Sequence, residues 1–174
     1  MNENVPLVLV MVGTDHHRFD RLVDWTDSWL TARTGLGVRC VVQHGASRAP
    51  RIAEGFDYLG HAELQQLMSQ AQVVVCHGGP STITESRRHG HRPIVVPRSA
   101  ALGEHVDDHQ QRFSRWIAAK SMIELVDSEA ALRAGLDAAL SSASGERALV
   151  VGPDPGSAAA QRFGELVDKM LADR

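Results

Sequence analysis

Residues 73–110 read VVVCHGGPSTITESRRHGHRPIVVPRSAALGEHVDDHQ. Val73, Val74, Val75 and Cys76 form a short apolar, β-branched run with the length and composition of a buried strand. His77, Gly78, Gly79, Pro80, Ser81 and Thr82 break that run, and a helical segment carrying Glu85 follows. Residues 93–97, PIVVP, predict a second buried strand, and a loop then leads to the polar cluster at 104–110. Strand, Gly-rich turn, helix and strand make a βαβ unit, which presents the free N–H groups of a helix start at the end of a strand.

Such a turn suits an anion. Gly78 and Gly79 put no Cβ between backbone and ligand, Ser81 and Thr82 add hydroxyls, and a helix N-terminus carries roughly half a positive charge. A diphosphate fits this description. The same residues also fit an ordinary helix start, in which Thr82 and Glu85 form a capping box.

Outward from this unit the chain alternates strands and helices. Residues 5–12 are a near-continuous apolar strand ending in the loop Gly13, Thr14, Asp15, His16, His17. A helix is expected over 19–32, started by Asp15 or Asp20 and ended at 35–37, then a strand over 38–42 with a loop at 43–47. Residues 48–54 are polar and unassigned, 56–59 predict a short strand, and 62–70 a helix. Beyond the central unit come a helix over about 104–120 burying Val106, Phe113, Trp116 and Ile117, a strand over 122–126, a helix over 129–140 and a loop over 141–145. Residues 148–151 are short, apolar and unplaced, 152–156 break the chain, and 157–173 predict an amphipathic helix. This order implies an α/β fold, a Rossmann-like doubly wound parallel sheet, as one domain over residues 1–174. Ligands in such sheets bind at the carboxyl ends of the strands, where the loops at 13–17, 43–47, 77–82 and 97–109 lie.

Composition excludes several classes. A net charge of −3 with no Lys/Arg run argues against nucleic acid. No apolar stretch approaches 18 residues, and the N-terminus has neither the basic cluster nor the length of a signal peptide. Cys40 and Cys76, isolated in predicted buried strands, are no disulfide framework and fit a reducing compartment.

HGGPSTITE, GHRPIVVPR and EHVDDHQ at this spacing, with the opening LVLVMVGTDHHRFDRLVDW, resemble the C-terminal, donor-binding domain of family 28 glycosyltransferases. The likeness covers about residues 8–118. Within that family it is similar to small split enzymes: the soluble subunit of the dolichol-linked N-acetylglucosaminyl transferase, and bacterial relatives in exopolysaccharide and capsule synthesis. The resemblance implies one half of a two-domain glycosyltransferase fold. It also implies a UDP-sugar as co-substrate and a cytoplasmic chain held at the inner face of the membrane through a partner.

It further assigns expected donor contacts. Glu85 would accept from the ribose hydroxyls, which a carboxylate does two at a time. Gly78, Gly79, Ser81 and Thr82 would hold the diphosphate; His77, at the strand end, either touches the donor or satisfies a backbone carbonyl. Gly13 and Thr14 match the family's first loop. Asp108, His109 and Gln110 would face the sugar, although Asp107 and Asp108 also suit the start of any helix. The aspartate pair departs from the peptidoglycan transferase and leaves the sugar open. His16 and His17 are weak candidates for the catalytic base, because in two-domain relatives the base belongs to the acceptor domain.

No cofactor or metal is expected. His105, Asp107 and His109 alternate along a predicted helix and would not share a face. The helix dipole and backbone donors would stabilise the leaving diphosphate instead.

A complete enzyme of this fold needs two such domains, so the expectation is a donor-binding subunit working with a membrane-anchored acceptor-domain partner. Together they would transfer a hexose (GlcNAc, glucose, galactose or glucuronate) to a lipid-linked acceptor with inversion. The helix at 157–173 either docks on that partner or packs on its own sheet. The rival readings are a non-catalytic nucleotide-sugar-binding regulatory module and a self-sufficient homodimeric transferase.

Overall fold

The computed structural model describes residues 5–33, 35 and 37–143. The expected elements at 148–151, 152–156 and 157–173, and Leu36 within the expected 35–37 helix stop, lie outside the described residues.

Six strands form one parallel sheet: β1 (Leu7–Met11), β2 (Arg39–Gln43), β3 (Glu54–Phe56), β4 (Val73–Cys76), β5 (Ile94–Val95) and β6 (Glu124–Leu125). Their order is β3-β2-β1-β4-β5-β6, the doubly wound order in which the chain reverses direction between β1 and β4. Register runs Val8 opposite Cys40 on one side of β1 and opposite Val73 on the other. The helices are α1 (Asp20–Thr31), α2 (His61–Gln70), α3 (Pro80–Arg88), α4 (His109–Ala118) and α5 (Glu129–Ala143), with a 3-10 turn at Ala100–Leu102.

Period-two alternation divides the strands between two cores. Val8, Val10, Val42, Val73 and Val75 face Leu22, Val23 and Trp29 of α1 and Leu132 and Leu136 of α5. The intervening Leu9, Met11, Val41, Val74 and Cys76 face Leu67 and Met68 of α2, Ile83 of α3, and Phe113 and Ile117 of α4. Both faces are covered, which is why these strands read as unbroken apolar runs. Burial of each such side chain contributes about 1.5–3 kcal/mol.

Long-range polar bonds fix the loops. Trp29 Nε1 donates to Asp137 at 2.8 Å and joins α1 to α5. The buried Asp27 carboxylate accepts from the Arg51 amide at 3.0 Å and the Ile52 amide at 3.3 Å, pinning the polar segment before β3. The Phe19 amide donates to Ser47 Oγ at 2.7 Å; no side chain caps α1, and Asp20 places its carboxylate in the first turn as expected.

Four expectations need correction. The third strand lies at Glu54–Phe56, two residues before the expected 56–59. The helix expected from 104 begins at His109, and Val106 is 73% exposed instead of buried. The last described helix continues through residues 141–143, where a loop was expected. No capping box forms at Thr82: α3 begins at Pro80 behind Gly79, with no side-chain cap. Proline suits that first position because its missing N–H would have no intrahelical partner anyway.

Candidate functional site

The carboxyl ends of β1 and β4 lie side by side at the reversal of strand order. The His77 amide donates to the Met11 carbonyl at 3.0 Å and continues that pairing one residue past β4. The His77 ring then packs between Gly13 and Gly79. Gly13 has φ +88°, and a Cβ there would stand 2.8 Å from His77 Nε2; one at Gly79 would also collide with that nitrogen. A Cβ at Gly78 would meet Ser114 Oγ at 2.7 Å and the Gln110 backbone oxygen at 3.1 Å. The glycines thus admit the protein's own groups, His77 and α4, a role the sequence did not show beside the ligand approach and the ordinary turn. His77 Nδ1 is buried with no hydrogen-bond partner among the described residues. Burial, followed by the nearby Arg98 charge, pushes its pKa down to about 4.

Arg98 was missed from the sequence. Its side chain has no exposure. Nη2 and Nε donate to the Val12 carbonyl at 2.7 and 3.2 Å, and Nη1 to the carbonyls of His17 at 2.6 Å and Glu104 at 2.8 Å. One guanidinium therefore joins the ends of β1 and β5, the first loop and the loop before α4. The buried Glu104 carboxylate completes the joint: it pairs with Arg21 through two bonds, at 2.8 and 2.7 Å, and accepts the Ser99 amide at 2.8 Å. A cleft of about 330 Å³ opens beside this joint, bordered by Arg21, Ser99, Gln111 and Arg115. The only sequence signal for Arg98 was a lone arginine directly after a buried strand and a proline.

Glu85 sits in the second turn of α3, half-buried. Its Oε1 accepts from Gln65 Nε2 of α2 at 2.6 Å, and Oε2 lies 3.3 Å from Arg88. Gln65 is in turn fixed by His89 Nε2, 2.5 Å from its own oxygen. Gln65 and His89 carry no motif, and only the fold brings them to Glu85. Ser81, in the first turn, is exposed and Thr82 half-buried.

The polar cluster divides. Gln110 is buried, its Oε1 3.4 Å from the Arg98 amide, close behind Gly78. Asp108 is exposed at the start of α4, 3.6 Å from Arg112. Thr14 is exposed. Asp15 Oδ1 accepts from the His17 amide at 2.8 Å and lies 2.7 Å from His17 Nδ1 and 3.3 Å from His16 Nδ1. Burial alone would raise the Asp15 pKa, but the His17 bonds and the Arg98 charge outweigh it and leave it at about 2. Burial, then the neighbouring His109, lowers the pKa of His105.

Two triplets gather potential metal ligands. Asp15, His16 and His17 bring three ligand atoms within 4.8 Å of one another, and so do His105, Asp107 and His109. The second triplet shares a face after all, because residues 105–108 precede α4 and are not helical.

Among the described residues, no helix is long and apolar enough to cross a membrane. Similarity to solved structures extends along most of the chain. The kitacinnamycin glycotransferase is 18% identical, with a TM-score of 0.58, over 96% of this chain and 39% of its own. MurG of Acinetobacter baumannii is 15% identical, with a TM-score of 0.58, over 80% of this chain and 42% of its own. ALG13 is 18% identical, with a TM-score of 0.52, over 78% of this chain and 85% of its own. The chain therefore spans only about two-fifths of the length of the first two, and at these identities the likeness shows the fold. No curated protein matches. The family model for the glycosyltransferase family 28 C-terminal domain matches residues 7–147, and the chain belongs to that family.

Proposed function

We propose that the chain binds a UDP-sugar and serves as the donor half of an inverting glycosyltransferase. The observation that carries this is the opening of α3 at the β1/β4 reversal of a family 28 domain, where amides without intrahelical partners meet the positive end of the helix dipole. The diphosphate would lie along residues 78–82, with Ser81 and Thr82 donating. The ribose would take the Glu85 carboxylate, already held in place by Gln65. The sugar would lie toward Asp108, His109 and Gln110, with Gly13, Thr14 and His77 forming the wall on the β1 side. Negative charge growing on the departing diphosphate would be met by α3, so this reading needs no metal at the diphosphate.

The acceptor half would be a separate membrane-anchored subunit presenting a lipid-linked acceptor, which would hold this chain at the cytoplasmic face for polysaccharide assembly. The similarity to ALG13, of which the chain covers 85%, supports this division. Calorimetry with UDP, and thermal shift with UDP-GlcNAc, UDP-glucose, UDP-galactose and UDP-glucuronate, tests the donor role. Glu85→Ala should weaken UDP binding about 10- to 100-fold, the loss expected for hydrogen bonds to a charged group. Unchanged affinity would remove Glu85 from the site, and absence of any UDP binding by the parent chain would refute the donor role.

A further inference from the structure

We propose that His105, Asp107 and His109 form a binding site for a borderline divalent cation of the Zn²⁺ class, with Asp15 as the outer carboxylate that orients His105. The site goes beyond the donor-binding reading; it shares His109 with the sugar-facing set, and its test reads metal binding in the absence of any donor.

Hydrogen bonds decide which nitrogen of His105 is available. The Asp107 amide N–H points to His105 Nδ1 at 3.4 Å, so Nδ1 carries the lone pair. The proton is then on Nε2, which lies 3.4 Å from Asp15 Oδ2. A carboxylate near the protonated nitrogen, with only a long amide contact on the other, approaches the arrangement that orients metal-bound histidines. Asp15 is itself kept anionic and fixed by the His17 amide and ring.

Nδ1, which accepts from the Asp107 amide until a cation replaces that contact, faces two further ligands. Asp107 Oδ1 lies 3.7 Å from it, and the His109 ring donates from Nδ1 to that same oxygen, a proton that a bound cation would displace. All three ligand atoms lie within 4.8 Å of one another. A tetrahedral Zn²⁺ with bonds of about 2.0–2.1 Å needs ligand atoms about 3.4 Å apart, so the side chains would have to adjust around the ion. Two imidazoles and one carboxylate favour Zn²⁺ over Mg²⁺ or Ca²⁺, which take oxygen ligands. Three protein ligands leave a fourth position for water or a ligand oxygen.

The other triplet is the poorer site. The His16 side chain is 86% exposed, and the second carboxylate oxygen of Asp15 is turned to His105.

The test is titration of the untagged chain with Zn²⁺ in competition with a chromophoric chelator, and with Co²⁺, whose visible d–d bands report tetrahedral ligation. The expected result is one ion per chain, with affinity at least tenfold lower in His105→Gln and in His109→Gln. Asp15→Asn should weaken binding, and His61→Gln, on α2, should change nothing. His109 is partly exposed at the start of α4, so His109→Gln decides the matter should His105→Gln fail to fold. The proposal is overturned if the parent chain gives no tetrahedral Co²⁺ spectrum. It is also overturned if His109→Gln binds as tightly as the parent, or if His16→Gln abolishes binding while His109→Gln does not.

Discussion

Gln65 Nε2 lies 2.6 Å from Glu85 Oε1, a bond between α2 and α3 that holds the proposed ribose-binding carboxylate before any ligand arrives. Gln65→Ala should therefore weaken UDP binding less than Glu85→Ala does, by about 3- to 10-fold, because it removes an orienting donor and leaves the charged carboxylate. Stability should fall by no more than about 1 kcal/mol, as both groups are half-exposed. Calorimetry on the two single variants and the double variant measures the coupling, and strictly additive losses would show that Gln65 does not position Glu85.

Arg98 is the residue on which the loops most depend. Arg98→Ala leaves the carbonyls of Val12, His17 and Glu104 without their donor and removes a cation near the buried Glu104 carboxylate. The expected loss is about 3–5 kcal/mol in urea unfolding. Arg98→Lys should recover only part of it, since an ammonium cannot span three carbonyls as the planar fork does. A loss below about 1 kcal/mol in the alanine variant would refute the joint.

Acid should destabilise the fold through His77. The unfolded histidine takes up a proton near pH 6.5, whereas the folded one resists until about 4. Unfolded chains then bind more protons in that window, so stability falls as pH drops from about 6.5 to 4, by at most about 3 kcal/mol, and is flat above it. In His77→Asn this slope should shrink, leaving the part that His105, also lowered by burial, contributes. The Asp15 contribution is separate: its lowered pKa stabilises the fold above about 3.8 and is lost as pH falls toward 2. Urea midpoints at half-unit pH intervals distinguish the two windows.

Both thiols should be silent in the native protein. Burial pushes Cys40 and Cys76 up to about 12, so almost no thiolate forms at neutral pH. Ellman's reagent should find no reactive thiol in the folded chain and two after denaturation. Rapid native labelling of either residue would contradict its place in the sheet.

The sheet was legible in the sequence wherever a strand is covered on both faces. Val73–Cys76 could be read to the residue because four successive apolar side chains leave no other placement. β3 was misplaced because all three of its residues are exposed at the sheet edge, and the aromatic pull of Phe56 and Tyr58 outweighed a register set by pairing with β2. The start of α4 was misread because Glu104 resembles a first-turn carboxylate. Its partner, Arg21, is 83 residues away in the chain and gives no local signal. The turn at 77–82 and Glu85 were visible as a motif. The Arg98 joint, the Gln65 support and the convergence of Asp15 on His105 exist only once β1, β4 and β5 are brought together.

Every acceptor of the Arg98 side chain is a main-chain oxygen. Such acceptors are present whatever residue occupies positions 12, 17 or 104. The clasp thus dictates the course of the two loops through their main chain, so exposed side chains on those loops that take no part in it can change at the cleft rim without rebuilding the frame beneath.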